Sequence, residues 1–412
     1  MSSQSTSETV AIIGGGPAGL RAAELISAAG ISCVLYDSMP SVGRKFLVAG
    51  KSGLNLTKDE DLDTFISYYG GSHNGQFDLQ RWASIIKEFD NKMIREWAEG
   101  LGITTFTANS GKVFPEAMKA APLLRRWVHK LREQGVNFRM RHKLASIAPA
   151  EKEQGYKLTF TSPLDERTSY NHRYVVLAMG GASWPQTGSD GAWRDILDQQ
   201  QVCYQTLQAD NCGWMHPWND EFLKIAEGKP LKNIHLSCGD QKVTGEVMIT
   251  KYGLEGSAIY QIGRTLRSLP KAYIEIDLKP TFTHDQLVAK MGGKQHGLLR
   301  EAKYRWKLSP QAMALIKHQY KHTNDVNLLA TQIKACRIDL DSPRPIDEVI
   351  STSGGICWSE LNEQLMLNKL PGIFACGEMI DWEAPTGGYL MQGCFASGTR
   401  VGKSIIQMSA EE

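Results

Sequence analysis

Val10-Ala11-Ile12-Ile13 runs directly into Gly14-x-Gly16-x-x-Gly19, and a small-residue helical stretch from Ala18 to Ile26 follows without a gap. No other segment restricts the fold as much. A four-residue apolar run suits a strand buried on both faces. Gly14 permits the tight turn after it, Gly16 removes a side chain that would block a pyrophosphate, and Gly19 lets helix and strand approach closely. The helix start offers unpaired N–H groups and a positive dipole end, worth about 0.3–2 kcal/mol toward an anion. A second apolar strand, Ser32 to Tyr36, closes at Asp37, where a carboxylate can accept hydrogen bonds from ribose hydroxyls. An acid at that place favours a free 2′-OH, so FAD or NAD over NADP. A generic tight turn is the alternative.

The rest of the chain sets limits around this unit. Its 412 residues allow two or three compact units. Lys+Arg 46 against Asp+Glu 44 leaves a net charge of +2, which argues against general affinity for nucleic acid or anionic membrane, although a local basic patch is compatible with it. The start, MSSQSTSETV, is polar and lacks the basic and apolar regions of a signal peptide. No window reaches the roughly eighteen apolar residues of a membrane helix. The eight cysteines are scattered without a C-x-x-C, which reads as reduced thiols in a cytoplasmic protein and excludes flavoenzymes with a redox-active dithiol.

Leu79 to Trp97 shows helical spacing that ends near Gly100, and Leu123 to Leu131 marks another amphipathic helix, with Arg125, Arg126, Lys130 and Arg132 as its solvated face. From Asn137 the pattern is strand-like, and the run Tyr174 to Ala178 ends in a second glycine turn, Gly180-Gly181. Residues 203–282 read as β-rich and 284–334 as helical and basic, with no glycine-rich cofactor motif among them. Such motifs return after Ser351. One discontinuous nucleotide domain explains this, with 1–195 and 335–412 as its two parts and 196–334 as an insert, β-rich over 196–283 and helical over 284–334. His318 and His322 stand four apart without a visible third ligand and read as a solvated face. Cys357, Cys376 and Cys394 read as small buried thiols.

Several further segments keep company with the first motif: "GRKFLVAGKSGLNLT" (43–57), "GKVFPEAMKA" (111–120), "VVLAMGGASWPQTGSDG" (175–191), "GEVMITKYGLEGSAI" (245–259), "TSGGI" (352–356) and "GEMID…TGGYLMQGCFASG" (377–398). In this order they resemble the HI0933-like family of FAD-dependent oxidoreductases, a branch of the glutathione-reductase-like flavoproteins. The resemblance implies an α/β fold: a discontinuous Rossmann-like FAD domain carrying an inserted β-rich and helical domain. It implies that Gly14, Gly16, Pro17, Ala18 and Gly19, with Asp37 and Ser38, hold the ADP half of FAD. Gly43, Arg44 and Lys45 would run toward the flavin, with Asn55 and Leu56 beside it. Leu144 would meet adenosine, Gly180 and Gly181 the pyrophosphate and ribose, and Gly377 with Glu378 the ribityl portion. Gly387, Gly388, Tyr389, Leu390 and Gln392 would open the final helix against the flavin N1–C2=O edge, where a dipole end stabilises reduced flavin.

The chain departs from the family pattern near the flavin. Gly53-Leu54 stands where relatives carry Arg-Cys, and Leu390 where Asn is common, which marks a divergent subgroup. The implied function is hydride transfer between flavin N5 and a small organic substrate, with reduction of a conjugated ketone and oxidation of a small amine both open. NAD(P)H, lacking a second GxGxxG, would be a transient co-substrate. The partner is then a small molecule, neither nucleic acid nor membrane, and the catalytic residues stay unassigned. Two alternatives remain: an FAD-holding sensor or assembly protein without turnover, and a flavin-dependent RNA-modifying enzyme, which the interleaved bases and aromatics of 303–322 suggest.

Overall fold

The computed structural model describes residues 9–51, 53–72, 76–151, 154–294 and 296–411. The polar start at 1–8 and Ser52, within the segment 43–57, lie outside the described residues. The chain divides into two compact units, Met1–Gln208 with Ile350–Glu412, and Ala209–Val349.

The first unit is built on a parallel five-stranded sheet. Its order is Ile373–Ala375, Tyr174–Leu177, Val10–Ile13, Cys33–Asp37, Asn137–Met140. The central strands are buried along their whole length, as their unbroken apolar runs require when both sheet faces are covered. The helix Pro17–Ala28 leaves the first strand through Gly16, with proline in its first turn, where the missing N–H costs nothing. An antiparallel sheet of Lys143–Pro149, Tyr156–Thr161 and Arg167–His172 precedes Tyr174–Leu177. The segments that leave the carboxyl ends of the central strands are the glycine turn, Asp37, Ala178–Gly180 and Cys376–Gly377. In open α/β sheets this is the edge where ligands bind.

Buried Glu24 ties the helices of this unit together. It accepts from Trp97 Nε1 and Trp127 Nε1, both at 3.0 Å, and pairs with Arg21 (3.1 Å) and Lys130 (2.8 Å). Lys130 is therefore an anchor rather than part of a solvated face, and Arg126 likewise donates to the Leu101 carbonyl. The periodic stretch from Leu79 to Gly100 is two helices, Leu79–Glu88 and Met93–Gly100. Asp90 Oδ1 takes the N–H groups of Lys92 and Met93, and Asn91 Nδ2 bonds the carbonyls of Lys58 and Glu60. These side chains offer the backbone partners that end one helix and cap the next.

The second unit has an antiparallel six-stranded sheet, ordered Trp214–Met215, Gly253–Glu255, Gln241–Thr250, Pro230–Cys238, Tyr273–Asp277, Cys336–Asp339. Helices His284–Met291, Leu298–Arg305, Pro310–Gln319 and Val326–Lys334 share its core through Leu287, Leu298, Trp306, Leu315 and Ile333. The unit starts and ends later than 196 and 334. Helix Trp193–Gln199 belongs to the first unit, and Cys336–Asp339 completes the second unit's sheet by pairing with Tyr273–Asp277. His318 is not on a solvated face. Its ring stacks on Phe222 (5.2 Å) and touches Trp218 and His216. Among the described residues no group of His, Cys, Asp or Glu is arranged to hold a metal, and no helix is long and apolar enough to cross a membrane.

Candidate functional site: a dinucleotide cleft

The glycine turn divides its labour by position. Gly14 sits at φ +108°, and a Cβ there would lie 2.3 Å from the Ala178 carbonyl oxygen. At Gly19 a Cβ would lie 2.0 Å from the Gly14 oxygen. Both positions exclude any side chain because protein already fills the space. At Gly16 a Cβ would meet nothing within 4 Å. The protein leaves that volume open above the N-terminus of Pro17–Ala28, where N–H groups without intrahelical acceptors point outward. That open cradle fits a pyrophosphate.

Asp37 closes the other side. Its Oδ2 accepts the Gly15 N–H and its Oδ1 the Met39 N–H, both at 2.8 Å. Burial raises its pKa from the ordinary carboxylate value, and the two N–H groups oppose that shift. Each oxygen keeps capacity for a further donor, as a ribose diol requires.

Around this loop lies a cleft of about 980 Å³, open to solvent. Of the residues expected from sequence, Gly14, Gly16, Pro17, Ala18, Asp37, Ser38, Gly43, Arg44, Lys45, Leu144, Gly180, Gly377 and Glu378 line it. Lys45 Nζ reaches Glu378 Oε2 (2.7 Å) and Ser183 Oγ (2.6 Å), while Glu378 Oε1 accepts the Thr352 N–H (2.9 Å). Arg44 Nε and Ser189 Oγ are buried without hydrogen-bond partners, which leaves two donors for an incoming polar group. Cys394, from the helix Tyr389–Ala410, also lines the cleft; burial and Glu378 push its thiol up to about 12.

The other expected residues do not line this cleft. Gly19 is a packing position, as shown above. Gly181 packs against Thr352, whose Oγ1 would be 1.9 Å from an added Cβ. Asn55, Leu56, Gly387, Gly388, Tyr389, Leu390 and Gln392 belong to a second cluster at the start of the final helix. Gly388 takes φ +106° and would press a Cβ against the Thr57 backbone, 2.5 Å away. The Tyr389 hydroxyl donates to Glu60 Oε1 (2.6 Å) and accepts from Lys58 Nζ (3.0 Å), and Tyr69 Oη donates to the Tyr389 carbonyl (2.7 Å). Burial and the Glu60 carboxylate hold the Tyr389 phenol well above its ordinary pKa, so it stays protonated at neutral pH. Asn55 Oδ1 and Thr57 Oγ1 are buried there without partners. Gln392 is turned inward: its Nε2 donates to the Phe89 carbonyl.

Sequence reasoning missed one wall of the cleft. His142, Lys143, Thr187, Ser189, Asp190, Trp193 and Ile196 all contribute. Lys143 pairs with Asp190 (2.8 Å), and Trp193 Nε1 donates to the Gly180 carbonyl (2.8 Å). The stretch "WPQTGSDG" was the available signal, since its turn residues follow directly on Gly180-Gly181.

Comparison with known proteins agrees with this geometry. The family model described as HI0933-like protein Rossmann domain matches residues 8–404. The chain belongs to this family. It is 24% identical over 431 residues to a 3-dehydro-bile acid Δ(4,6)-reductase of Clostridium scindens, covering 97% of this chain and 99% of that one. It is 23% identical over 412 residues to the ribosomal RNA dihydrouridine synthase of Escherichia coli, covering 96% and 97%. A solved 3-ketosteroid-Δ4-(5α)-dehydrogenase from Rhodococcus jostii RHA1 shares the fold, with TM-score 0.53 over 98% of each chain at 14% identity. This member of the HI0933-like family is an FAD-dependent oxidoreductase.

Proposed function

We propose that this oxidoreductase reduces a carbon–carbon double bond conjugated to a carbonyl group in a small organic substrate, with NADH or NADPH as a transient source of electrons. What supports this reading is the chemistry shared by the names of the two full-length relatives. One is a Δ(4,6)-reductase of a 3-oxo bile acid, and the other makes dihydrouridine, the saturated form of a ring whose double bond is conjugated to a carbonyl. Bound FAD supplies the two-electron chemistry at its N5.

The chain's own residues bind and orient. The Gly14–Gly19 turn and the helix start at Pro17 would take the pyrophosphate, Asp37 the ribose, and the Lys45–Glu378 pair the ribityl region. The start of Tyr389–Ala410, held by Tyr69 and by the Lys58–Glu60–Tyr389 network, presents a positive dipole end that favours negative charge. Nearby, Asn55 Oδ1 and Thr57 Oγ1 lack protein partners, and a polar ring edge would satisfy them.

Anaerobic stopped-flow tests the proposal. Reduced holoenzyme is mixed with a 4-en-3-oxosteroid, a simple cyclic enone and a quinone, and flavin absorbance is followed. Reoxidation by an enone with saturated product is the expected result. Reoxidation by the quinone or oxygen alone overturns it. The Escherichia coli relative favours a second reading, in which the acceptor is a uracil ring within RNA. Tritium release or a two-dalton mass gain in RNA treated with the reduced enzyme distinguishes it.

A further inference from the structure

We propose that a lysine-lined groove in the Ala209–Val349 unit binds the phosphate groups of a ligand other than FAD. The groove has a volume of about 880 Å³ and is bordered by Lys229, Lys232, Lys279 and Lys307, with no Asp or Glu among its lining residues. Its floor is apolar, formed by buried Leu231 and Leu278. The proposal stands apart from the redox reading, since every lining residue belongs to this unit.

The charges there are uncompensated. Among the described residues Lys232, Lys279 and Lys307 form no ion pair, and Lys229 Nζ bonds only the Ile225 carbonyl. Asp277, two residues before Lys279, is occupied by Lys334 at 2.6 Å. Burial and the charge of Lys307 push the Lys279 ammonium below its ordinary pKa. In a chain whose net charge is only +2, this is a local accumulation rather than an overall basic bias. Like charges gathered without carboxylates cost stability, and an anion seated among them reverses the sign of that term.

Phosphate fits better than a single carboxylate. Lysine is a compact point charge suited to phosphate oxygens, and four of them match a group, or a row of groups, carrying several negative charges. The helix Pro310–Gln319 begins at the same groove, capped by Ser309 and tied down by Gln311 Nε2 on the Pro230 carbonyl (2.9 Å), so its dipole adds to the lysines. The apolar floor suits the non-phosphate part of a nucleotide. An RNA backbone and the phosphates of a free nucleotide share this chemistry, and the test separates them.

Binding of pyrophosphate to the holoenzyme is measured by calorimetry, and binding of a fluorescein-labelled single-stranded RNA 20-mer by anisotropy, each at several salt concentrations. The wild type and Lys279→Gln/Lys307→Gln are compared. At least one probe should bind the wild type and weaken about tenfold or more in the variant, with flavin content kept and the melting temperature not lowered. RNA as the ligand gives a salt slope that falls by about two in the variant. Pyrophosphate binding without RNA binding assigns a free phosphate compound. Failure of both probes to bind, or equal binding by both proteins, overturns the proposal.

Discussion

Gly16→Val should separate cofactor binding from folding. Gly16 has φ −78° and ψ 178°, an extended conformation that a β-branched residue adopts without strain, and its Cβ would meet nothing within 4 Å. The apoprotein should therefore fold as the wild type does, or gain about 0.4–1 kcal/mol from a less flexible unfolded chain. The valine would stand in the volume left for the pyrophosphate. Losing two charge-assisted hydrogen bonds at about 1.5–3 kcal/mol each costs about 3–6 kcal/mol, or roughly two to four orders of magnitude in FAD affinity. Gly14→Val and Gly19→Ala behave oppositely, because their Cβ atoms would lie 2.3 and 2.0 Å from backbone oxygens. Those variants should lose soluble yield before any question of binding arises. The assay is titration of apoprotein with FAD, alongside thermal melts of the three variants without cofactor. Wild-type affinity in Gly16→Val, or an apo melting temperature as low as that of Gly19→Ala, would refute the assignment of this space to the cofactor.

Other outcomes follow from the same geometry. Asp37→Ala should weaken FAD and also lower the apo melting temperature, because the Gly15 and Met39 N–H groups lose their acceptor at about 1–3 kcal/mol each; weakened binding with an unchanged melt would mean that the carboxylate does not hold the loop. Gly388→Pro cannot serve as a probe of the flavin, since proline cannot reach φ +106°, and it should simply prevent folding. Leu390→Asp adds charge in the helix's first turn instead and should lower the flavin potential by roughly 10–40 mV, read by spectroelectrochemistry at full FAD occupancy. Cys203 and Cys357 bring their sulfurs to 3.4 Å, with Cys203 exposed, so peroxide should remove two of the eight thiols and yield one cross-linked peptide pair on mass spectrometry.

What the sequence made legible was local, and what it hid was set by distant contacts. The strand, turn, helix and acid from Val10 to Asp37 form one continuous segment, so their spacing alone specifies the cradle and its ribose-facing carboxylate. The same reasoning cannot see that Gly14 is barred from a side chain by Ala178, or that Gly181 is barred by Thr352, because those neighbours arrive from other strands. The cysteine spacing likewise showed no pair, yet Cys203 and Cys357 are brought together where Tyr204–Asp210 lies beside Ser351–Ile356 in a two-stranded sheet. Gln392 is the instructive failure. Its place in the first turn of the final helix suggested a role toward the cofactor, but a helix turns its residues through 100° steps and only tertiary packing decides which face is inward. Its side chain bonds the Phe89 carbonyl in the chain between two helices that sequence periodicity had read as one. The break at Phe89–Lys92 and the inward turn of Gln392 are thus one structural event. Gln392→Leu would test it through a lowered melting temperature with unchanged FAD affinity, since the buried Phe89 carbonyl would lose its donor while the cleft lining stays intact.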